Sequence, residues 1–290
     1  MDYLKTVSII VPAYNEEEKI SELIESLLDL DYPNKLLEII IVDNNSSDKT
    51  KEIIKQYPVK LLEENNKQSS YAARNRGIRN SKGGILAFTD ADCVVKADWL
   101  MRGIECLQNK GIAVVIGEVT FISDYRLNIF EKYDKITAFK HACKTGNLIT
   151  FKNVFERVGL FNENLISGGD TEWGARVEKK RLKISYCGNA IVYHPLRKNF
   201  KRLLKKQIRV GYGAGQQSKN IIFSNLPIHI LKLPWEFLLW EVWVNRMLLD
   251  AYRAREITLF NLIALCPIII VFGLATTYGK LEGMRCKNGA

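Results

Sequence analysis

The sequence predicts an α/β domain with a mainly parallel central sheet, followed by a membrane-associated helical tail. Three observations lead there. Over residues 1–120, short β-branched runs alternate with amphipathic stretches, the rhythm of strand–helix–strand units joined by right-handed crossovers. Polar segments rich in acids follow three of those runs, where an open parallel sheet binds its ligands. Beyond residue 195 the composition shifts to a basic stretch and then to an apolar run without charge.

Each element has a local reason. Val7 to Val11 is apolar and β-branched and is stopped by Pro12, as in a strand buried on both faces. Asn15 is placed to cap a following helix whose first turn carries Glu16, Glu17 and Glu18. Ile20, Leu23, Ile24, Leu27 and Leu28 then form one apolar stripe. Leu37 to Val42 makes a second strand ending at Asp43; Ser46, Ser47 and Asp48 offer caps for the next helix. Val59 to Leu62 is a third strand and Ser70 to Arg79 a basic helix. The run Ile85–Thr89 is the strand that delivers Asp90, Ala91 and Asp92. After Trp99 a helix reaches Asn109 and a strand runs from Ile112 to Phe121. The resulting division is an α/β domain over residues 1–195, a basic and amphipathic region over 196–256, an apolar span over 257–279 and a short tail over 280–290.

The net charge of +10 is concentrated in one place. Arg197, Lys198, Lys201, Arg202, Lys205, Lys206, Arg209 and Lys219 occur with no acid among them, and without these eight the chain carries only +2. Such a patch suits nucleic acid or an anionic membrane surface. The segments after it favour the membrane. Residues 221–249 mix Leu, Ile and three tryptophans (Trp235, Trp240, Trp243) with scattered charges, which fits an interfacial stretch. Residues 257–279 hold no charge over 23 positions, long enough to span a bilayer; a buried helical hairpin broken at Pro267 is the alternative. The six cysteines show no metal-ligand spacing, and their scatter predicts reduced thiols. With an N-terminus lacking a signal-peptide pattern, this places the catalytic domain on the cytoplasmic side.

The chemistry gathers at the strand ends. Pro12, Tyr14 and Glu16, then Asp43, then Asp90 and Asp92 would line one crevice. Four carboxylates there repel one another unless a cation or hydrogen-bond donors satisfy them. In extended backbone, Asp90 and Asp92 face the same side, and an acid pair suits a hard divalent cation completed by phosphate oxygens.

Four segments in this order, Val7–Glu16, Ile41–Asp48, Ala73–Gly77 and Phe88–Asp92, resemble the family 2 nucleotide-sugar glycosyltransferases. The resemblance covers residues 5–195 and implies the GT-A fold. It implies that Pro12, Tyr14 and Glu16 flank the nucleotide and that Asp43 accepts a hydrogen bond from the base. Asp90 and Asp92 would hold Mg²⁺ or Mn²⁺ against the diphosphate, Asp92 the closer ligand, and Arg74 would approach the donor pocket. Gly168–Arg176 is similar to the family's later acidic motif, which makes Asp170 the catalytic base and puts Glu172 on the acceptor side. Gly169 departs from that motif, where a Glu is usual. Asn147 falls in a segment similar to the acceptor half, and His194 sits where some GT-A enzymes bring a histidine to the metal. Gln207–Val210 does not match the Gln-x-x-Arg-Trp element of processive synthases, so a single sugar addition to a lipid-linked or glycan acceptor is expected.

Two other classes compete. A nucleotidyltransferase would carry a Gly-rich, basic loop after the first strand, and Pro12–Glu16 has neither feature. A membrane protein that binds nucleotide sugars without catalysis is separated from an enzyme only by measuring turnover.

Overall fold

The computed structural model describes residues 5–122, 127–138, 144–217, 246–254 and 257–288. The tryptophans at 235, 240 and 243, most of the expected interfacial stretch and Cys143 lie outside the described residues. The described residues fall into two compact units, one built on 5–122, 144–164 and 169–195 and the other on the remainder. Residues 129–136 and 165–168, expected in the α/β domain, belong to the second unit.

The first unit is an eight-stranded mixed sheet. Its strands are β1 (Val7–Ala13), β2 (Leu37–Asp43), β3 (Lys60–Glu63), β4 (Ile85–Thr89), β5 (Val94–Val95), β6 (Ile112–Ile122), β7 (Asn147–Phe151) and β8 (Lys183–Pro195). They lie in the order β3-β2-β1-β4-β7-β6-β8-β5. The first four strands pair in parallel, as the alternating pattern predicts. β7 then inserts antiparallel between β4 and β6, while β6 and β8 run parallel. The crossover helices are α1 (Ile20–Leu28), α2 (Thr50–Ile54), α3 (Ser70–Asn80) and α4 (Trp99–Leu107). Ile20, Leu23, Ile24 and Leu27 of the α1 stripe pack with Ile9, Val11 and Trp99 into one buried core, while Leu28 is left exposed. Burying side chains of this size stabilises by about 1.5–3 kcal/mol each.

Two local expectations change. Asn15 does not cap α1, which starts at Ile20; its backbone is left-handed (φ 53°) and its side chain accepts from the Ser47 amide. Cys106 and Cys187, 81 residues apart, form a disulfide between α4 and β8, so they are not the reduced thiols expected from their scatter. Wide spacing along the chain carries no information about distance in the fold.

The second unit is helical. It contains α5 (Ile129–Ile136), then, beyond α6 (Lys152–Val158) and α7 (Gly169–Lys179) of the first unit, α8 (Phe200–Gln217) and α9 (Leu259–Asn288). Tyr133, Leu203, Leu265, Ile269 and Phe272 form its core. α8 and α9 run parallel and approach closely at four glycines. A Cβ on Gly211, Gly215, Gly279 or Gly283 would stand only 2.0–2.1 Å from a carbonyl oxygen of the facing helix. Small residues allow this backbone-to-backbone packing. Asp134 is buried and bonded to Arg197 and Lys206; burial opposes its charge, but the two cations outweigh it and hold its carboxyl below the usual range. α9 continues through Pro267 without forming a hairpin. It is long and apolar enough to cross a membrane by length and composition.

Candidate active site

The loops after β1 and β2 are laced together. The amides of Asn15, Glu16 and Glu17 donate to Ser46 Oγ, Thr50 Oγ1 and Asp48 Oδ2, and the Lys49 amide donates back to Glu17. Pro12 lies in β1 opposite Val42. Tyr14 stands beyond the strand, 47% exposed. Asp43, at the end of β2, is 2% exposed. Its Oδ2 accepts from the Ser46 amide at 3.2 Å, while Oδ1 is buried without a partner. An unpaired buried carboxylate oxygen is costly, and a ligand N–H would satisfy it.

At the end of β4 the chain turns, with the Cys93 amide bonded to the Asp90 carbonyl. The extended geometry expected for Asp90 and Asp92 is therefore absent, and the two carboxylates have different partners. Asp90 Oδ1 accepts from Arg74 Nη2 at 2.5 Å. Arg74, on α3, is 3% exposed. Asp92 Oδ2 lies 3.6 Å from His194 Nε2 near the end of β8. Asp92, Cys93 and His194 place their ligand atoms within 4.8 Å of one another. Burial, then the charges of Asp92 and Asp90, push the Cys93 thiol far up, so it stays protonated. Arg74 thus occupies Asp90, and Asp92 is the member of the pair that stands beside another metal-ligand side chain.

Asp170 occupies the first turn of α7. Its Oδ2 accepts from the Thr145 amide at 3.4 Å, and its Oδ1 lies 3.4 Å from the Tyr71 hydroxyl. The same two pieces of backbone reach Asp90. Gly146, next to Thr145, would bring a Cβ to 3.0 Å from Asp90 Oδ2, and Arg74 is three residues beyond Tyr71 on α3. Helical residues three apart share a face. The turn at 144–146 and helix α3 together gather Asp90 and Asp170, which are 80 residues apart in sequence.

Two expected site residues have other work. Asn147 is fully buried; its Oδ1 accepts from Trp99 Nε1, and its amide donates to the Glu118 and Ala190 carbonyls. It joins α4, β6 and β8 and has no amide proton left for a sugar. Glu172 accepts two hydrogen bonds from Arg176, whose Nη1 and Nη2 also donate to the Val158 and Leu160 carbonyls. Sequence reasoning missed Tyr71 and Thr145. The only available signal for Tyr71 was its helical spacing from Arg74.

Residues 8–162, more than half of the chain, match the family Glycosyl transferase family 2. The chain belongs to that family. The glycosyltransferase AglE of Haloferax volcanii is 39% identical over 72% of this chain and 73% of its own length. A Methanococcus voltae protein named dolichyl N-acetyl-alpha-D-glucosaminyl phosphate 3-beta-D-2,3-diacetamido-2,3-dideoxy-beta-D-glucuronosyltransferase is 26% identical over 96% of this chain and 97% of its own. Among solved structures, the mannosyltransferase PcManGT of Pyrobaculum calidifontis, in complex with GDP-Man and Mn²⁺, aligns with a TM-score of 0.65. That alignment covers 99% of this chain and 89% of the other at 18% identity, a likeness of fold. S. aureus TarS 1–349 with UDP-GlcNAc aligns at 0.56 over 96% and 91%, at 16% identity. The fold of this family 2 enzyme is GT-A.

Proposed function

We propose that this family 2 glycosyltransferase moves one sugar, with inversion, from a nucleotide diphosphate donor to a hydroxyl of a lipid-linked or glycan acceptor. The observation that carries the reading is the gathering of Asp90 and Asp170 by α3 and the 144–146 turn. It puts a donor-side motif and a carboxylate suited to proton transfer on the same supports.

The nucleotide base would give an N–H to Asp43 Oδ1, the oxygen without an internal partner. Tyr14 would offer its exposed ring, with Pro12 and Glu16 framing the ribose side. Asp92, with His194 beside it, would hold Mg²⁺ or Mn²⁺, since a carboxylate suits either ion. Such a cation, when bound, stabilises the charge of the departing diphosphate. Arg74, buried against Asp90, keeps a fixed positive charge at that end of the site. Asp170 would take the acceptor hydroxyl's proton as its oxygen attacks the anomeric carbon from the face opposite the diphosphate, which inverts that carbon. The names and bound ligands of the relatives and structural neighbours support a nucleotide sugar donor, a cation and a lipid-linked acceptor.

The enzyme would work from the cytoplasmic face of a membrane. The apolar length of α9, with Phe260, Ile263 and Leu274 exposed along it, supports attachment. The exposed cations Lys198, Lys201, Arg202, Lys205 and Arg209 would face the anionic leaflet.

The test is Asp170→Asn. Transfer should fall about a thousandfold, within the range of general-base catalysis. UDP or GDP with Mn²⁺ should still raise its thermal stability, because a ligand of the folded state does so. Unchanged transfer would remove Asp170 from the role, and a wild-type protein that binds donor without turnover would be a binding protein.

A further inference from the structure

We infer that Tyr71 is the positioning residue of the base, its phenol fixing the Asp170 carboxylate and its ring filling the space a side chain at position 169 would need. This rests on the reading of Asp170 as base. Three contacts carry the inference. The Tyr71 hydroxyl lies 3.4 Å from Asp170 Oδ1 and accepts the Gly169 amide at 2.9 Å. The phenol oxygen accepts from the amide, and its own O–H has the Asp170 carboxylate as acceptor. A Cβ at Gly169 would lie 2.8 Å from the Tyr71 ring carbons, so ring and glycine fit only as a pair.

The ring itself is held. It is 5% exposed, lies 6.0 Å from the Phe161 ring, and has the Arg74 guanidinium 5.8 Å from its centroid. Burial, then the charge of Asp170, pushes the phenol up to about 12, so it remains a donor at neutral pH. The Thr145 amide lies 3.4 Å from the other carboxylate oxygen, and the Thr171 amide donates to Oδ1 at 2.9 Å beside the phenol. Asp170 is thus gripped from two sides, leaving less rotamer freedom to be lost when an acceptor hydroxyl arrives. The departure of Gly169 from the family's acidic motif has a steric counterpart in this chain.

Tyr71→Phe keeps the ring and removes the proton. A hydrogen bond to a charged group corresponds to a factor of about 10–100, and a contact as long as 3.4 Å belongs at the lower end, so kcat for transfer should fall about tenfold. KM for the donor and the thermal stabilisation by nucleotide diphosphate with Mn²⁺ should stay the same. Gly169→Ala should lower kcat in the same way, and the double variant should be no worse than the poorer single one. A Tyr71→Phe enzyme with unchanged kcat, beside an inactive Asp170→Asn, would overturn the inference alone. Loss of donor binding and stability in step with kcat would also overturn it, reducing Tyr71 to a packing role. An active Asp170→Asn would instead overturn the reading beneath it.

Discussion

Where β1, β2 and β3 run parallel, Asp43 keeps a buried oxygen without a partner and Tyr14 stands exposed; on the antiparallel side, Asn147 is enclosed and Glu172 is clamped to Arg176. The difference follows from topology. Parallel strands end together, so the residues after them form loops beyond the sheet, and here those loops satisfy one another through Asn15, Glu17, Ser46 and Thr50. Asp43 Oδ1 is left out of that lacing and is the oxygen proposed for the donor base. β7 instead lies between β4 and β6, with Asn147 directly opposite Thr89. A polar side chain in the middle of a sheet must find its partners inside the protein. Polar side chains therefore keep an open oxygen on one half, where the donor is proposed to bind, and brace the fold on the other.

Asn147→Ala presses hardest on that contrast. It leaves Trp99 Nε1 and the Glu118 and Ala190 carbonyls without their partner in a buried site. The expected cost is about 3 kcal/mol, or roughly 10 °C in melting temperature, read by calorimetry. A variant that melts normally but needs far more acceptor would move Asn147 into the binding site and break the contrast.

Asp43→Asn should behave in the opposite way. With no internal partner for Oδ1, the unliganded protein should keep its melting temperature or gain slightly. Donor affinity, measured by titration calorimetry with the nucleotide diphosphate and Mn²⁺, should fall about tenfold through loss of a charge-assisted hydrogen bond. A large loss of apo stability with unchanged affinity would make Asp43 a brace like Asn147.

These two residues also mark how far the sequence could be read. β1 to β4 were legible because apolar β-branched runs and intervening amphipathic helices have distinct periods. The position of Asp43 came with them, since a parallel strand end fixes where its next residue points. The placement of β7 was not legible: periodicity identifies a strand, but neither its direction nor its neighbours. Asn147 was consequently assigned to a surface it does not reach. The family resemblance puts Arg74 near the donor pocket without showing its bond to Asp90, and an acid pair after an apolar run gives no sign of the turn at Asp90–Cys93. Tyr71 and Asp170 are 99 residues apart, and no local pattern joins a phenol to a carboxylate at that separation.

Glu172→Gln should give the smallest effect and place α7 on one side of the comparison. Glu172 and Arg176 are one turn apart, both about a third exposed, and Arg176 ties α7 to the carbonyls that follow α6. Glutamine can keep one hydrogen bond to Arg176 but not the charge. For a pair of this exposure the loss should be about 0.5–1 kcal/mol, a shift of a few degrees in melting temperature. Acceptor KM should stay within about twofold, because an oxygen committed to Arg176 is not offered to a sugar. A tenfold rise in acceptor KM with unchanged melting would mean that the pair opens to take the acceptor. One first turn would then carry both kinds of residue, Asp170 for the proton and Glu172 for the sugar that loses it.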